Sequence, residues 1–477
     1  MREGNIKGLF LKDFTWYFLG SLIPILIGIV KTPIFTRHFS QADFGYLGIV
    51  TVSFSFLSMV LFSWIGSCIW RFYPKYKTMN KLSFLYTNLF ILFLSAFIIL
   101  LIIVGTWFLL EKNLLVKKLI AYSFIHLIFN QLYLFYIIVV RLEGKSFFYS
   151  FVQSTRAIVS FLLTLILIFI FEVNIVSLIL SLLVIDFFSV LFLTILNPSK
   201  VLINLKKFNK QCLKEISTYG TAGLLINVCF LVISLSDRYI IAWFGTINDV
   251  GVYDQVYKIS QFSIVALVTI FFNTVNPTLL NELENNYKNS KHLIRKYLKV
   301  FVIFGFPLII YLSIFSKEIA FVLLGKEFRS SHIIMPFVFI SAYLHGIANF
   351  YELRLKFINK LKKLSLIIIF SAIVNLLLTI AVVWLFGYLW AASTTALTYV
   401  ILVCLFHFFD REIVKEDQKG LNYIVSAFLV ISSQLGVYVL INTYFELFLI
   451  HKLVLLFIFI SMYIIIFKNY IKNLISF

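Results

Sequence analysis

The chain alternates long apolar runs with short polar breaks, and its charged and turn-forming residues gather mainly in the breaks. Fourteen apolar segments can be read, near 14–34, 44–70, 82–110, 119–140, 147–171, 175–196, 218–244, 251–280, 300–323, 332–353, 364–385, 389–409, 421–441 and 449–467. Most exceed the roughly 20 residues that an α-helix needs to cross about 30 Å of hydrocarbon. The pattern therefore predicts an all-α polytopic membrane protein with 14 transmembrane helices. No break is long enough to hold a soluble domain, so any chemistry belongs within or beside the bilayer. The break 197–217 has its own periodicity. Val201, Leu205, Phe208, Cys212 and Ile216 share one helical face, and Lys206, Lys207, Lys210 and Lys214 lie elsewhere, as in a helix resting in the membrane interface.

Composition excludes the soluble alternative. With 61% hydrophobic and 13% charged residues, a soluble chain of 477 residues would carry more apolar side chains than it could bury. The charge also has a side. With the N-terminus placed in the cytoplasm, 29 of the 41 Lys and Arg residues fall in the tails and even-numbered loops. Short loops rich in Lys and Arg stay inside, so both termini are expected in the cytoplasm, and the net charge of +20 is mostly a topological signal. Arg2, Lys7 and Lys12 precede an apolar run that is too long for a signal peptide and has no small-residue cleavage site, so the first span is expected to be retained. Cys68, Cys212, Cys229 and Cys404 form no CxxC, and the seven His form no HExxH or HxxxH pair. The cysteines suggest packing residues, and no metal, cofactor or nucleic-acid partner is expected.

A weak repeat divides the chain near the basic linker. Phe39-Ser40-Gln41-Ala42-Asp43-Phe44-Gly45-Tyr46 follows the first span, and Phe244-Gly245-Thr246-Ile247-Asn248-Asp249-Val250-Gly251-Val252-Tyr253 follows the seventh. Each has a Phe, then Asp-x-Gly, then a Tyr, at the same expected external turn. The Gly permits tight re-entry into the next helix, and the Asp can cap it. The expected organisation is an N-terminal six-helix lobe (1–196), the amphipathic linker (197–217), a second six-helix lobe (218–409), and a cytoplasmic loop with helices 13 and 14 (410–477).

These residues carry a family resemblance. Thr36-Arg37-His38-Phe39 through Asp43-Phe44-Gly45-Tyr46, Arg71-Phe72-Tyr73, Asp237-Arg238-Tyr239-Ile240-Ile241 before Gly251-Val252-Tyr253, Asn276-Pro277, and Leu324-Gly325-Lys326-Glu327-Phe328 resemble the Wzx polysaccharide flippases. The likeness runs through most of the chain and is slight in the last two spans. It implies membership of the multidrug/oligosaccharidyl-lipid/polysaccharide exporter superfamily, with two six-helix lobes around a central cavity. It further implies transport of undecaprenyl-pyrophosphate-linked oligosaccharide from the inner to the outer leaflet of the bacterial inner membrane, for O-antigen or capsule synthesis. Membrane lipids, a polysaccharide polymerase and a chain-length regulator are the implied partners.

Charges inside the spans are the candidate site residues, because an ionised side chain in hydrocarbon needs a partner, a wet cavity or a route to the interface. Lys31, Arg37, Arg156, Arg238 and Lys258 are candidates for substrate contact, and Asp237 and Asp254 for ion coupling. Asp254 and Lys258 are four apart on one helical face. The outer group, Lys31, Arg37, Arg238 and Lys258 with Asp43, Asp237 and Asp254, has four positive side chains and three negative ones. Arg156 and Asp186 lie roughly 24 and 18 Å below the short turn joining spans five and six, close enough in depth for a structural ion pair. Lys317, Glu318, Glu352 and Arg354 sit near span ends, where snorkelling is the default. Pro24 is expected to kink the first span, with Pro33 near its end. Trp64, Trp70, Tyr253 and Tyr257 could stack on sugar rings or anchor at the lipid interface.

Two other classes compete with a flippase. A small-molecule or drug exporter of the same superfamily commonly needs acidic residues deep in its spans. A membrane polymerase or glycosyltransferase, the one enzyme class considered, would carry a large external loop or an acidic DxD motif, and neither is present. The charge split predicts that single cysteines in 197–217 and 354–363 react only with reagents reaching the cytoplasm, and those in 111–118 with impermeant reagents outside intact cells. Labelling of 354–363 from outside would overturn the topology.

Overall fold

A chain in hydrocarbon must satisfy its backbone internally, and helices do this within a single segment. The computed structural model describes residues 2–196, 203–285, 287–358, 360–410, 426, 429–434, 436–438, 441 and 449–475. The expected linker positions 197–202, Val201 among them, and the loop 411–425 lie outside the described residues. Seven helices precede the linker: α1 (Arg2–Phe35), α2 (Gln41–Ser58), α3 (Trp64–Thr78), α4 (Leu82–Leu110), α5 (Leu114–Leu142), α6 (Ser146–Phe169) and α7 (Ser177–Leu196). After it come α8 (Lys210–Ala222), α9 (Leu224–Leu235), α10 (Asp237–Phe244), α11 (Ile247–Asn285), α12 (Tyr287–Ile314), α13 (Ser316–Leu323), α14 (Ile334–Phe357), α15 (Leu361–Phe386) and α16 (Ala391–Phe409), with a further helix at Leu449–Ile475.

Eleven helical stretches among the described residues are long and apolar enough to cross a membrane. The expected span 251–280 lies within the 39 residues of α11. The shorter apolar stretches Leu429–Tyr438 and Phe457–Lys468 overlap the last two expected spans. Helix α1 runs through both Pro24 and Pro33. Between α2 and α3 the chain stays helical through one π-turn, Met59–Ser63, so a single stretch extends from Gln41 to Thr78.

Two compact units are formed, Met1–Gln255 and Val256–Phe477. The first continues past the basic linker because α8, α9 and α10 pack on α2, α3 and α4. The linker itself departs from the single amphipathic helix read from its periodicity. Leu205–Lys207 is one 3-10 turn, and the α-helix starts only at Lys210. The reason is local: Asn204 Oδ1 accepts from Lys206 N, and Asn209 Oδ1 accepts from Cys212 N. Such Asn side chains offer the backbone an alternative to continuous helix and favour a fresh start. Cys212 and Ile216 are buried against α3, as the apolar face required, whereas Leu205 and Phe208 are exposed. Cys68 Sγ donates to Ile216 O at 3.3 Å, Tyr76 Oη donates to Cys212 Sγ at 3.0 Å, and Lys75 pairs with Glu215 at 2.7 Å.

Small residues set the helix spacing in the first unit. A Cβ on Gly20 of α1 would press on Ser150 of α6, and one on Gly220 of α8 would overlap the Trp64 ring. Helices α6 and α7 reverse through Glu172, whose φ of 51° lies in the left-handed region. Below that turn Thr164 Oγ1 and Ser181 Oγ meet at 2.7 Å. Deeper still, Arg156 grips the fully buried Asp186 with two donors, Nε to Oδ1 at 2.5 Å and Nη2 to Oδ2 at 2.9 Å. Asn130 of α5 donates to the same carboxylate at 3.0 Å, and His126 Nε2 lies 3.2 Å from it. The guanidinium also covers the Tyr133 ring at 4.5 Å. Three helices thus converge on one carboxylate.

The second unit uses neutral groups at the comparable hairpin. In α15 and α16, Thr379 and Thr394 hydroxyls meet at 2.6 Å, and Asn375 donates to Thr398 at 3.2 Å. Three of its span-end charges, Glu318, Glu352 and Arg354, are in ion pairs, and Lys317 is exposed. Arg354, read as a span-end residue, is 2% exposed and pairs with Asp410. Glu318 binds Lys452 at 2.5 Å, and Tyr463 Oη donates to Ile303 O at 3.0 Å, which ties Leu449–Ile475 to α12 and α13.

Losing one member of a buried pair strands the other charge, at a cost of about 3–5 kcal/mol. Arg156→Gln and Asp186→Asn should therefore each lower thermal stability sharply, and the double variant should lose less than their sum. Purely additive losses in detergent-solubilised protein would show that the two side chains do not stabilise one another.

Candidate functional site

The repeated Asp-x-Gly turns meet. At the start of α2, Ser40 caps the helix by accepting from Asp43 N at 3.2 Å, and Asp43 returns the bond by accepting from Ser40 N at 3.1 Å. At the start of α11, Thr246 and Asp249 repeat this exchange, with Asp249 N to Thr246 Oγ1 at 3.3 Å and Thr246 N to Asp249 Oδ2 at 2.8 Å. Each is a capping box, so the Ser or Thr is the cap and the Asp is its reciprocal partner. This corrects the reading in which the Asp itself capped the helix.

The glycines two residues beyond the Asp do more than permit a turn. A Cβ on Gly45 would overlap the Ile247 carbonyl oxygen, and one on Gly251 would overlap the Gln41 carbonyl oxygen and crowd Gly45 N. The two helix starts are therefore in reciprocal backbone contact, which only glycine allows. One turn further along, Gly48 faces Asp254, with its would-be Cβ 3.5 Å from the carboxylate. The Gly48 position leaves room for that larger side chain.

Immediately beyond this contact lies a buried polar set. Arg238 Nε donates to Asp254 Oδ1 at 3.3 Å, and Arg238 Nη1 donates to Ser234 O at 2.9 Å. Gln255 Nε2 donates to Asp254 Oδ2 at 3.3 Å. Tyr253 Oη donates to Asp237 Oδ2, while the Tyr253 ring lies 5.2 Å from the Arg238 guanidinium. Asp237, Arg238, Tyr253 and Asp254 are all essentially inaccessible. Ser53 and Tyr239 hydroxyls, 2.6 Å apart, bind α2 to α10 alongside. Local sequence explains the arrangement: Asp237 and Arg238 open α10, and residues 16 positions on in α11 meet them as the chain doubles back.

The expected site residues thus separate by environment. Asp237, Arg238 and Asp254 come together. Arg156 belongs to the Asp186 cluster. Lys31 on α1 and Lys258 on α11 are half-buried, and Arg37 is exposed just past α1. The surplus of positive charge resides in these last three, since the buried set holds one arginine and two aspartates. Tyr253 and Tyr257 are buried and do not present stacking faces here, whereas Trp70 is exposed, with Arg141 over its ring at 5.4 Å. Sequence reading missed His126 and Asn130, whose only signal is one helical turn of separation on α5. It also missed the partner of Arg354.

A family model described as "Polysaccharide biosynthesis protein" matches residues 34–333, more than half of the chain. No curated protein matches by sequence. Among solved structures, the chain is similar to the lipid II flippase MurJ in an inward closed conformation, at 16% identity and a TM-score of 0.76, over 96% of this chain and 99% of that one. It is similar also to the Vibrio cholerae MATE transporter VcmN, at 12% identity and a TM-score of 0.61, over 88% and 99% of the two chains. A multidrug resistance MATE transporter of the MOP superfamily, in an inward-facing conformation, matches at 15% identity and a TM-score of 0.60, over 87% and 95%. The chain belongs to the polysaccharide biosynthesis protein family and has the polytopic helical fold of the multidrug/oligosaccharidyl-lipid/polysaccharide exporters.

Proposed function

We propose that the protein is a flippase that carries undecaprenyl-pyrophosphate-linked oligosaccharide units from the inner to the outer leaflet of the bacterial cytoplasmic membrane by alternating access. The reading rests on the family match, and the observation that carries its mechanism is the reciprocal Gly45 and Gly251 contact beside the buried Arg238 and Asp254 pair. A contact made mainly by backbone, with a glycine on each side, can part and re-form. It closes the expected outer end, and parting there would open a path outward. Sugar hydroxyls and a diphosphate would otherwise face hydrocarbon, where unsatisfied polar groups cost several kcal/mol each. The protein needs to enclose the cargo and make no bond.

In this reading Lys31, Arg37 and Lys258 draw the diphosphate, and Arg238 joins them when its pair with Asp254 loosens. Asp237 and Asp254 are then the groups able to take up a coupling cation or proton. A second reading, export of small cations by the same fold, is favoured by one observation: the buried set has two carboxylates and one guanidinium. The two readings differ in what accumulates when the protein fails.

Lys31→Gln and Lys258→Gln, both half-buried positions, should lower export by roughly 10-fold when combined, because fixed positive charge raises the local concentration of an anionic cargo. Membrane levels should be unchanged. Lipid-linked units should build up on the inner leaflet, with drug susceptibility unaltered. Arg238→Lys should keep part of the activity if field dominates, and little if a forked phosphate contact is needed. Undiminished export by the triple Gln variant at positions 31, 238 and 258 would remove the cationic path, and increased drug sensitivity without accumulation of lipid-linked units would favour the exporter.

A further inference from the structure

A cavity of about 180 Å³ lies within the first unit, away from the glycine turns. Its walls come from α3, α4, α5 and α7, through residues such as Ile65, Phe90, Phe93, Leu132 and Val190, and Ile203 of the linker closes one side. Tyr136 and Thr194 bring the hydroxyls of that wall, Thr194 spending its own on its helix at 2.9 Å from Val190 O, and the other lining side chains are hydrocarbon. Water needs two or more polar partners to occupy such a space, and an apolar cavity of roughly 150 Å³ instead takes up a hydrocarbon as large as benzene.

The linker lays a cationic strap across the neighbouring end of α4. Thr87 Oγ1 and Asn204 exchange hydrogen bonds at 3.1 Å, and Asn209 N donates to Asn88 Oδ1 at 3.4 Å. Lys207 Nζ donates to Ser83 Oγ at 2.7 Å and lies 5.7 Å from the Phe84 ring. An ammonium has three donors, so Ser83 orients Lys207 and leaves two for another acceptor. Lys81, Lys206 and Lys210 are exposed beside it, and the one acid of α8, Glu215, is engaged by Lys75. Leu205 and Phe208, which the broken linker helix turns outward, are 63% and 47% exposed. Along α4, Ser83 and Phe90 are about 10 Å apart at 1.5 Å per residue. That matches the separation between a lipid phosphate and the first part of its chain.

We propose that this cavity and strap form a binding site for an anionic phospholipid, with one acyl chain entering the cavity and the phosphate held by Lys206, Lys207 and Lys210. The exposed Leu205 and Phe208 dip among the surrounding chains, as apolar side chains of an interfacial segment do. The strap lies on the face that the charge split assigns to the cytoplasm, where anionic headgroups concentrate near basic side chains. The cavity admits only a short length of chain, which favours a bulk phospholipid over a long polyprenyl cargo. The site goes beyond the proposed transport path and does not depend on it.

The test is native mass spectrometry of the purified full chain with dioleoylphosphatidylglycerol, dioleoylphosphatidylcholine or a polyprenyl phosphate. Phosphatidylglycerol should be retained roughly 10-fold more than phosphatidylcholine, a ratio that the combined Lys206→Gln, Lys207→Gln and Lys210→Gln changes should abolish. Thr194→Phe, at the exposed lip of the cavity, should reduce retention with the thermal midpoint unchanged. The strap variant leaves the cavity walls unchanged and keeps the test valid if Thr194→Phe misfolds. Equal retention of the two phospholipids, retention insensitive to the lysine changes, or preference for the polyprenyl phosphate would each overturn the assignment.

Discussion

Two helix backbones can touch only where no side chain stands between them, and Gly45 and Gly251 provide that condition on both sides of one contact. The start of α2 and the segment from α10 into α11 are arranged around it. The two capping boxes satisfy the free N–H groups that a helix start leaves, so both ends can approach without stranding donors. The chain must then fold back from α10 into α11, which brings Asp237 and Arg238 against Tyr253 and Asp254. In a low-dielectric interior such groups persist only when paired, and here each has a partner. Helices α8 to α10 pack on α2, α3 and α4 within the same unit.

The hairpins at the two halves of the chain solve one problem with different chemistry. Helices α6 and α7 share Thr164 with Ser181 and then the Arg156 and Asp186 fork, whereas α15 and α16 share Thr379 with Thr394 and then Asn375 with Thr398. A neutral pair costs little to desolvate. An ionic one commits Asn130 and His126 as further neighbours and fixes three helices at once. The charged version therefore gives the first hairpin greater geometric definition, and a greater loss when one member is removed.

Helix positions were legible because apolar length acts locally. The Asp-x-Gly repeat was legible too, although its meaning was not: sequence presents two turns, and only their meeting in space makes the glycines a contact. Arg156 and Asp186 could be matched in depth because one short turn joins their helices. Arg354 could not be matched to Asp410, which is 56 residues away and separated by two helices. The linker misled for a different reason. Its apolar period continues through Leu205 and Phe208, but Asn204 and Asn209 side chains take over the backbone donors and break the helix there.

In the proposed transport cycle the two glycine turns separate for cargo to cross. Ala42 and Asn248 occupy matching positions in the two capping boxes, and the exposed native cysteine, Cys404, can be replaced by Ser. A short bifunctional thiol reagent joining Ala42→Cys to Asn248→Cys should stop export of the lipid-linked unit, and a cleavable version should restore export on reduction. Wild-type export with the turns fully cross-linked would contradict the account.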